Sequence, residues 1–284
     1  MELNIQTETV VTATTGTTAA GENKTELQTL HATAERLAMQ LPWLPRVPSS
    51  DVFAKRARQA RATIFPMLAA VDKSCTEAAP TDDARWMRDN SSLISSELAA
   101  ALGDAQFLRK LPHVRAANGE AVPRVVGFAK AYFEETSYRF EEQSFVSFTR
   151  GFQKASPLEL REFNVLSSAL KLVLLEEISR RGRAALDDAK GESHEVGVCV
   201  QSLREVSQTT WLEFLEPLIL FDYVLRQDPA GAYANMEPES RMLYRKKVAA
   251  FAERSDFTEI DVAQEAISLA KQAQSRGNPD PRIA

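Results

Sequence analysis

The segment that follows Ser156 and Pro157 constrains the fold of this chain most. Its apolar residues recur at helical spacing on two sides of one predicted helix, namely Leu160, Phe163, Leu170 and Leu174 on one side and Val165, Ala169, Leu172 and Val173 on another. A helix that is apolar over most of its circumference must be covered by neighbours on several sides. We predict a central helix, capped by Ser156, with Pro157 at its first position and Glu159 completing a capping box.

The remaining sequence predicts more helices and no sheet. Helical spacing of apolar residues begins near Thr25, Val52, Thr81 (to Leu102), Val125, Phe145, Val196 and Trp211 (to Gln227), and no sustained period-2 alternation is bounded by hairpin turns. Two aromatic stripes at helical spacing, Tyr132, Phe133 and Phe140 in one and Phe145, Phe148 and Phe152 in the other, are expected to pack on each other. We predict an all-α fold of about nine or ten helices, arranged as a multi-helix bundle, with an irregular solenoid as the alternative. The bundle is favoured because no fixed repeat period is present.

The prediction divides the chain into four parts. Residues 1–24 are rich in threonine and short of apolar surface, which predicts a disordered tail. Residues 25–49 hold a helix and a proline-rich linker, PWLPRVP. Residues 50–276 form the helical domain, in which Pro66 should kink or end its helix and residues 103–123 are irregular. Residues 277–284 form a C-terminal tail.

Composition and motifs exclude several classes of function. A net charge of −5 gives no basic field for nucleic acid, and two cysteines cannot form a disulfide framework. No apolar run approaches the roughly 20 residues of a membrane span. Glycine-rich phosphate loops, a D-x-D motif and a helical zinc motif are all absent. The sequence therefore predicts no catalytic, cofactor-binding or metal-binding residues.

Basic residues line the polar side of the helix that begins at Val52. They are Lys55, Arg56, Arg58 and Arg61. A basic amphipathic helix can lie on an anionic membrane surface or meet an acidic partner, and the same pattern is typical of a solvated helix face. Both interpretations remain open at this point.

The residues from Asp228 to Gly231 have the chemistry of a type I turn. Asp228 suits the first position, Pro229 presets the second and Gly231 suits the fourth. Tyr233 can fill the junction, and Pro238 suits the start of the next helix. We predict a rigid helix–helix corner here.

The corner and its flanks carry a family resemblance. The runs are WLEFLEP, FDYVLRQDPAGAYANM, RMLYRKKVAAFAERS and EIDVAQEAISLA. Together with earlier segments such as RWMRDNSSLISSEL, they resemble the N-terminal helical region of bacterial cyclic β-1,2-glucan synthases, from about Leu27 onward. This sequence departs from the family pattern at Asn90-Ser91-Ser92 and at Glu237.

The resemblance implies a role rather than an active site. In that family the helical region precedes membrane-spanning segments, a glucosyltransferase domain that uses UDP-glucose and a divalent metal, and a phosphorylase-like domain. No catalytic residue can be transferred, and we expect the chain to be a truncated or split member that needs no cofactor of its own. Candidate sugar-acceptor tyrosines are Tyr132, Tyr138, Tyr223, Tyr233 and Tyr244, and we expect each to pack inside the fold.

The sequence thus leads to three hypotheses. The first is an accessory scaffolding module for the transferase and membrane domains of a glucan synthase, in cis or as a separate chain. Such a module would be cytoplasmic, at the inner face of the bacterial inner membrane. The alternative is a stand-alone module that binds a protein or a membrane surface. The third hypothesis, an enzyme in its own right, has no motif in its favour.

Overall fold

The computed structural model describes residues 11–41, 43–44, 51–77, 80–105, 111–115, 119–187 and 193–276, with the backbone alone for residues 11–22, 43–44 and 74–77. These residues form thirteen α-helices. In chain order they are α1 (Val11–Gln40), α2 (Val52–Glu77), α3 (Asp82–Asp89), α4 (Ser91–Asp104), α5 (Arg124–Glu135), α6 (Glu142–Ala155), α7 (Leu160–Phe163), α8 (Leu166–Asp187), α9 (Val196–Gln208), α10 (Trp211–Leu215), α11 (Leu220–Leu225), α12 (Pro238–Glu253) and α13 (Glu259–Ser275).

Three short strands form one antiparallel sheet at the side of the helices. They are β1 (Trp43–Leu44), β2 (His113–Arg115) and β3 (Ala121–Pro123), in the order β1-β2-β3. The register pairs Trp43 with Val114 and Val114 with Val122. The sequence prediction missed these strands because two or three residues are too few to show a period of two. The expectation of an irregular stretch at residues 103–123 is therefore corrected.

Helix α8 is the centre of the fold, as predicted. It packs against α2, α3, α4, α5 and α9. Leu170, Leu172, Leu174, Leu175 and Ile178 are all fully buried. This is a bundle around a central helix, whereas a solenoid would stack each element on its sequence neighbours alone. The all-α prediction is confirmed.

The two predicted aromatic stripes pack against each other beside α8. Phe128 of α5 contacts Phe145, Phe148 and Phe152 of α6 edge to face, with ring centroids 5.0–5.9 Å apart. Each of these rings is fully buried. Edge-to-face pairs add to the free energy gained by burying the rings, so this aromatic cluster stabilises the contact between α5 and α6.

The central helix begins later than predicted. Ser156 ends α6, and the capping box belongs to the short helix α7, where Glu159 and Glu162 make the two reciprocal bonds. Helix α8 then starts at Leu166. The predicted start at Ser156 is therefore wrong.

Arg124 explains why the segment after α6 does not become helical. Its guanidinium, 1% exposed, donates to the Ser156 hydroxyl at 2.9 Å and to the Pro157 carbonyl at 2.9 Å. It also pairs with the carboxylate of Glu162, which is 0% exposed. A buried guanidinium needs partners for several N–H groups, and the Ser156 hydroxyl and the Pro157 carbonyl supply two of them.

Two predicted helices are each divided. The helix from Thr81 to Leu102 breaks at Asn90, whose side-chain amide donates to the Trp86 carbonyl at 2.8 Å and competes with the helical backbone bond. The helix from Trp211 to Gln227 becomes α10, a 3-10 turn at Glu216–Leu218, and α11. Pro217 has no N–H to donate to the preceding turn, which favours a break at this position.

The ends of the first two helices differ from the prediction. Helix α1 starts at Val11 rather than Thr25, so residues 11–24 of the predicted tail are helical, as helix propagation onto an existing turn allows. Helix α2 continues through Pro66 to Glu77, so this proline does not end it. The predicted tails at 1–10 and 277–284, and most of the linker (residues 42 and 45–50), lie outside the described residues.

Helices α1 and α6 cross in close contact at a glycine. A Cβ atom on Gly151 would overlap the backbone carbonyl of His31. The Ser147 hydroxyl donates to the Leu27 carbonyl at 2.7 Å along the same contact. Helix α1 therefore packs on α6 through a close backbone contact and an interhelical hydrogen bond.

Candidate functional site

The predicted corner forms at the predicted residues. The Asp228 carbonyl accepts a hydrogen bond from the Gly231 N–H at 2.9 Å, which closes a four-residue turn with Pro229 at its second position. The Asp228 carboxylate accepts from the N–H groups of Ala230 at 3.0 Å and Tyr233 at 3.1 Å. Gly231 has a φ of +66°, a conformation that glycine adopts at little cost. Tyr233 is buried beneath the turn.

A buried carboxylate lies below this corner. Asp222 of α11 accepts hydrogen bonds from the Tyr233 hydroxyl at 2.5 Å, from Arg245 Nε at 2.8 Å and from Arg226 Nε at 2.7 Å. The side chains of Asp222 and Arg245 are only 3% and 2% exposed. These contacts join the corner to both α11 and α12.

A second carboxylate extends the network to the surface. Glu216, in the 3-10 turn, accepts from Arg226 Nη2 at 2.8 Å, Arg241 Nε at 2.9 Å and Arg245 Nη2 at 2.6 Å. The network, defined here as Glu216, Asp222, Arg226, Tyr233, Arg241 and Arg245, therefore balances three guanidinium groups against two carboxylates.

The two carboxylates and the tyrosine of this network are each held in one protonation state near neutral pH. Burial would raise the pKa of Asp222, but hydrogen bonds from Arg245, Tyr233 and Arg226 outweigh it and lower the pKa. Glu216 is lowered in the same way, with Arg245 and Arg241 as its donors. Burial and the bond to Asp222 raise the pKa of Tyr233. The network can hold elements together, but it offers no group poised to transfer a proton.

Most of this network was not foreseen from the sequence. Arg241 and Arg245 lie in a segment whose charges look like an ordinary solvated face. One local signal was available, since Asp222 is a lone carboxylate within the apolar run from Leu218 to Leu225. A charge in such a position must be paired when it is buried.

The predicted basic patch is divided by the fold. Lys55, Arg58 and Arg61 are exposed on α2. Arg56 is turned away from them, and its Nε and Nη2 atoms donate to the two carboxylate oxygens of Glu176 at 2.7 and 2.5 Å. The guanidinium of Arg61 lies 5.6 Å from the centre of the Phe65 ring, which is 47% exposed.

The candidate acceptor tyrosines have different environments. Tyr132 and Tyr233 are buried, as expected. The expectation of packing is wrong for Tyr223 and Tyr244, which are 72% and 48% exposed. Both lie near the corner, where α11 and α12 leave part of their surface uncovered.

A cleft of about 680 Å³ lies between α2, α5, α8 and the small sheet. Valine side chains of the sheet and α5 form an apolar floor, and the rim is charged. Arg56 and Glu176 are on one wall, and Arg183 continues the α8 face. A cleft of this size is large enough for a small molecule, and its many charged groups favour a polar one.

A larger groove lies between α1 and the turn after α5, with a volume of about 1060 Å³. Its hydroxyl groups already have local partners. Thr29 and Thr136 donate to backbone carbonyls at 2.9 and 3.0 Å, and Ser144 donates to the Glu141 carbonyl at 2.9 Å. This groove therefore offers fewer free donors than its lining suggests.

The residues with metal-binding or nucleophilic chemistry are dispersed. Among the described residues no group of three or more His, Cys, Asp or Glu side chains is placed to hold a metal ion. Cys199 is buried, and burial raises the pKa of its thiol to about 12. His113 is buried in β2, and burial lowers the pKa of its imidazole.

Within the described ranges, no helix combines the length and apolar content that crossing a membrane requires.

Comparison with known proteins gives one distant relative. No family model matches the chain. The chain is 22% identical to the cyclic beta-(1,2)-glucan synthase NdvB of Rhizobium meliloti (strain 1021), in an alignment that covers 70% of this chain and 10% of that protein. The chain thus corresponds to about a tenth of the length of the curated relative. Similarity of this extent indicates a distant relationship to a protein of that name.

Proposed function

We propose that this chain is an accessory helical module that supports a cyclic β-1,2-glucan synthase. It would hold the transferase and membrane parts of the synthase, in cis or as a separate chain, at the cytoplasmic face of the inner membrane. The proposal is supported by the distant similarity to a cyclic beta-(1,2)-glucan synthase. Exposed apolar side chains on the last helices give it a physical basis.

The observation that carries the proposal is the exposed apolar surface of the last four helices. Most of the large apolar side chains that face solvent lie there: Leu212, Leu220, Tyr223, Leu243, Tyr244, Phe251, Phe257 and Leu269. On α12, Leu243 and Phe251 are eight residues apart and each 63% exposed, a spacing that places them about 80° apart on one apolar stripe of the helix. Extended apolar surface of this kind marks contact sites for other proteins.

The same helices have a rigid base. The ion network fixes α11 and α12 relative to each other, so the apolar side chains are held in place before a partner arrives. A preorganised surface loses less conformational entropy on association. A rigid corner is therefore better suited to dock a partner than a mobile segment would be.

The experiment is co-purification with the transferase and membrane parts of a cyclic glucan synthase expressed in the same cells. Replacing Leu243 and Phe251 together by Asp should abolish co-purification and lower cyclic glucan production. Replacing Met39, which is 68% exposed on α1, by Asp is the matched control and should change neither. Retention of the complex by the double variant would contradict the proposal.

A second candidate function is binding to an anionic membrane surface through α2. Exposed Lys55, Arg58 and Arg61, with the exposed Phe65 ring, favour it. Charge reversal of the three cations should abolish co-sedimentation with phosphatidylglycerol vesicles. Reversal of Lys246, Lys247 and Arg254, three exposed cations of α12 and its end, is the control. Equal loss in both triple variants would indicate non-specific attraction.

A further inference from the structure

A serine hydroxyl lines the cleft between α2, α5 and α8. Ser179 lines this cleft and is 5% exposed, and within the described residues its hydroxyl makes no hydrogen bond. Other buried or half-buried helical serines bond either the preceding turn, as Ser207 does to the Leu203 carbonyl at 2.7 Å, or a neighbouring segment, as Ser147 does to the Leu27 carbonyl. Its oxygen is not among the enclosed unpaired atoms, so it reaches the open space of the cleft and can donate to a ligand there.

Two guanidinium groups lie on the same side of α8 as Ser179. Arg56 is anchored by Glu176, three residues before Ser179, through Nε and Nη2, and Nη1 makes no bond in the described part of the chain. Arg183 follows Ser179 by four residues, about 6 Å along the helix. Arg183 also lines the cleft and makes no hydrogen bond or ion pair with any described residue.

The charge of the cleft favours an anion. Its lining cations exceed its lining carboxylates by one, with Arg56, Arg115, Lys130 and Arg183 against Glu120, Glu134 and Glu176. Two guanidinium groups and a hydroxyl around one space match the several acceptor oxygens of a phosphate. Because the cleft measures about 680 Å³, it has room for much more than a bare phosphate ion.

We propose that this cleft binds the phosphate monoester of a small polar molecule, such as a sugar phosphate. The phosphate oxygens accept from Arg56 Nη1, the Arg183 guanidinium and the Ser179 hydroxyl. The organic part lies over the apolar floor, where Gln59 and Thr63 of α2 also line the cleft. This site is separate from the exposed surface of α10–α13, so its test does not depend on the proposed scaffolding role.

The test is isothermal titration of the whole chain with glucose 6-phosphate, inorganic phosphate and glucose at constant ionic strength. We expect glucose 6-phosphate to bind, inorganic phosphate to bind more weakly and glucose not to bind. Arg183→Ala should weaken glucose 6-phosphate at least about tenfold, and Arg183→Lys should weaken it less. Thr63→Phe should block the cleft without changing its charge.

The controls separate binding from folding and from non-specific attraction. Ser179→Ala should weaken binding without lowering the melting temperature, because no internal bond is lost. Arg254→Ala, an exposed arginine after α12, should leave binding unchanged. The proposal is overturned by no binding of glucose 6-phosphate at millimolar concentration, by equal affinity for inorganic phosphate, or by equal effects of Arg183→Ala and Arg254→Ala. A Ser179→Ala variant that binds normally but melts earlier would also overturn it.

Discussion

The bundle around α8 and the corner formed by α10–α13 are stabilised in different ways. In the bundle, α8 buries leucine and isoleucine side chains on several sides, and the rings of α5 and α6 interlock beside it. In the corner, α12 buries only Arg245 and Val248, and α13 only Ala263 and Ile267. Because little apolar surface is buried in the corner, the ion pairs of Glu216 and Asp222 with their arginines hold its helices together.

The two regions therefore differ in how specific their stabilising contacts are. Apolar burial stabilises the bundle without requiring particular partners, whereas an ion network requires an exact set of them. The corner therefore has a specified geometry while its apolar residues remain on the outside. A region that is rigid and uncovered at once is suited to docking.

The largest effect is expected in the bundle. Phe128→Ala should destabilise the chain by about 3–5 kcal/mol, because it removes a fully buried ring that contacts three others and leaves a cavity. Urea denaturation followed by circular dichroism measures the change. Phe257→Ala, at a position 65% exposed, should cost far less. Similar costs for the two variants would refute the proposed difference between the regions.

The next effect is expected in the corner. Arg245→Met should destabilise by about 3 kcal/mol, because the carboxylate of Asp222 stays buried with one cation fewer. Hydrogen exchange should rise in α11–α13 and change little in α8. The double variant Arg245→Met with Asp222→Asn should be less destabilised than the two single variants added together. Strict additivity would show that the two side chains are not coupled.

A pH effect should arise where the corner meets the bundle. The Glu259 carboxylate accepts the Leu160 N–H at 2.9 and 3.1 Å, and burial raises its pKa to about 7. The native state then holds a proton that the unfolded state has already released, so stability falls as pH rises from about 4.5 to about 7.

The Glu259→Gln variant tests this pH dependence. It should be more stable than the unmodified chain by about 1–2 kcal/mol at pH 8 and nearly equal to it at pH 4. Urea denaturation at both pH values measures the two differences. Asp222 affects the pH dependence of stability in the opposite direction, because its pKa is lowered in the folded state and the stability it contributes is lost only as the pH falls into the acid range. A constant difference between variant and unmodified chain at all pH values would exclude a titrating Glu259.

The smallest effects are expected in the turn itself. Gly231→Val should cost about 1–2 kcal/mol, since the space around a Cβ is open and the cost arises from a φ of +66°. Pro229→Gly should cost about 0.5–1 kcal/mol through the added freedom of the unfolded chain. Thermal melts of both variants show which of the two substitutions lowers the melting temperature more. Melting temperatures equal to that of the unmodified chain would show that the turn does not stiffen the corner.

Local chemistry made part of the site predictable. The turn from Asp228 to Gly231 depends on residues that are neighbours in the chain, so their turn preferences sufficed. The ion network joins Glu216 to Arg245 across 29 positions, and the pairing of Arg56 with Glu176 spans 120. Nothing in either local segment shows whether such an arginine is buried or solvated. Arg56 was accordingly grouped with the surface cations of α2.

The sequence by itself determined the all-α class, the central helix, the facing aromatic stripes and the corner at Asp228, because periodicity and turn preference act within a few residues. Tertiary structure alone decided where helices stop and which charges are buried. Ser156 and Pro157 stay extended because Arg124, over 30 residues away, takes their oxygen atoms as partners. Among the described residues the Ser179 hydroxyl makes no hydrogen bond, because it borders a cleft where three helices and a sheet meet. Both outcomes depend on contacts between distant segments, which local periodicity does not record.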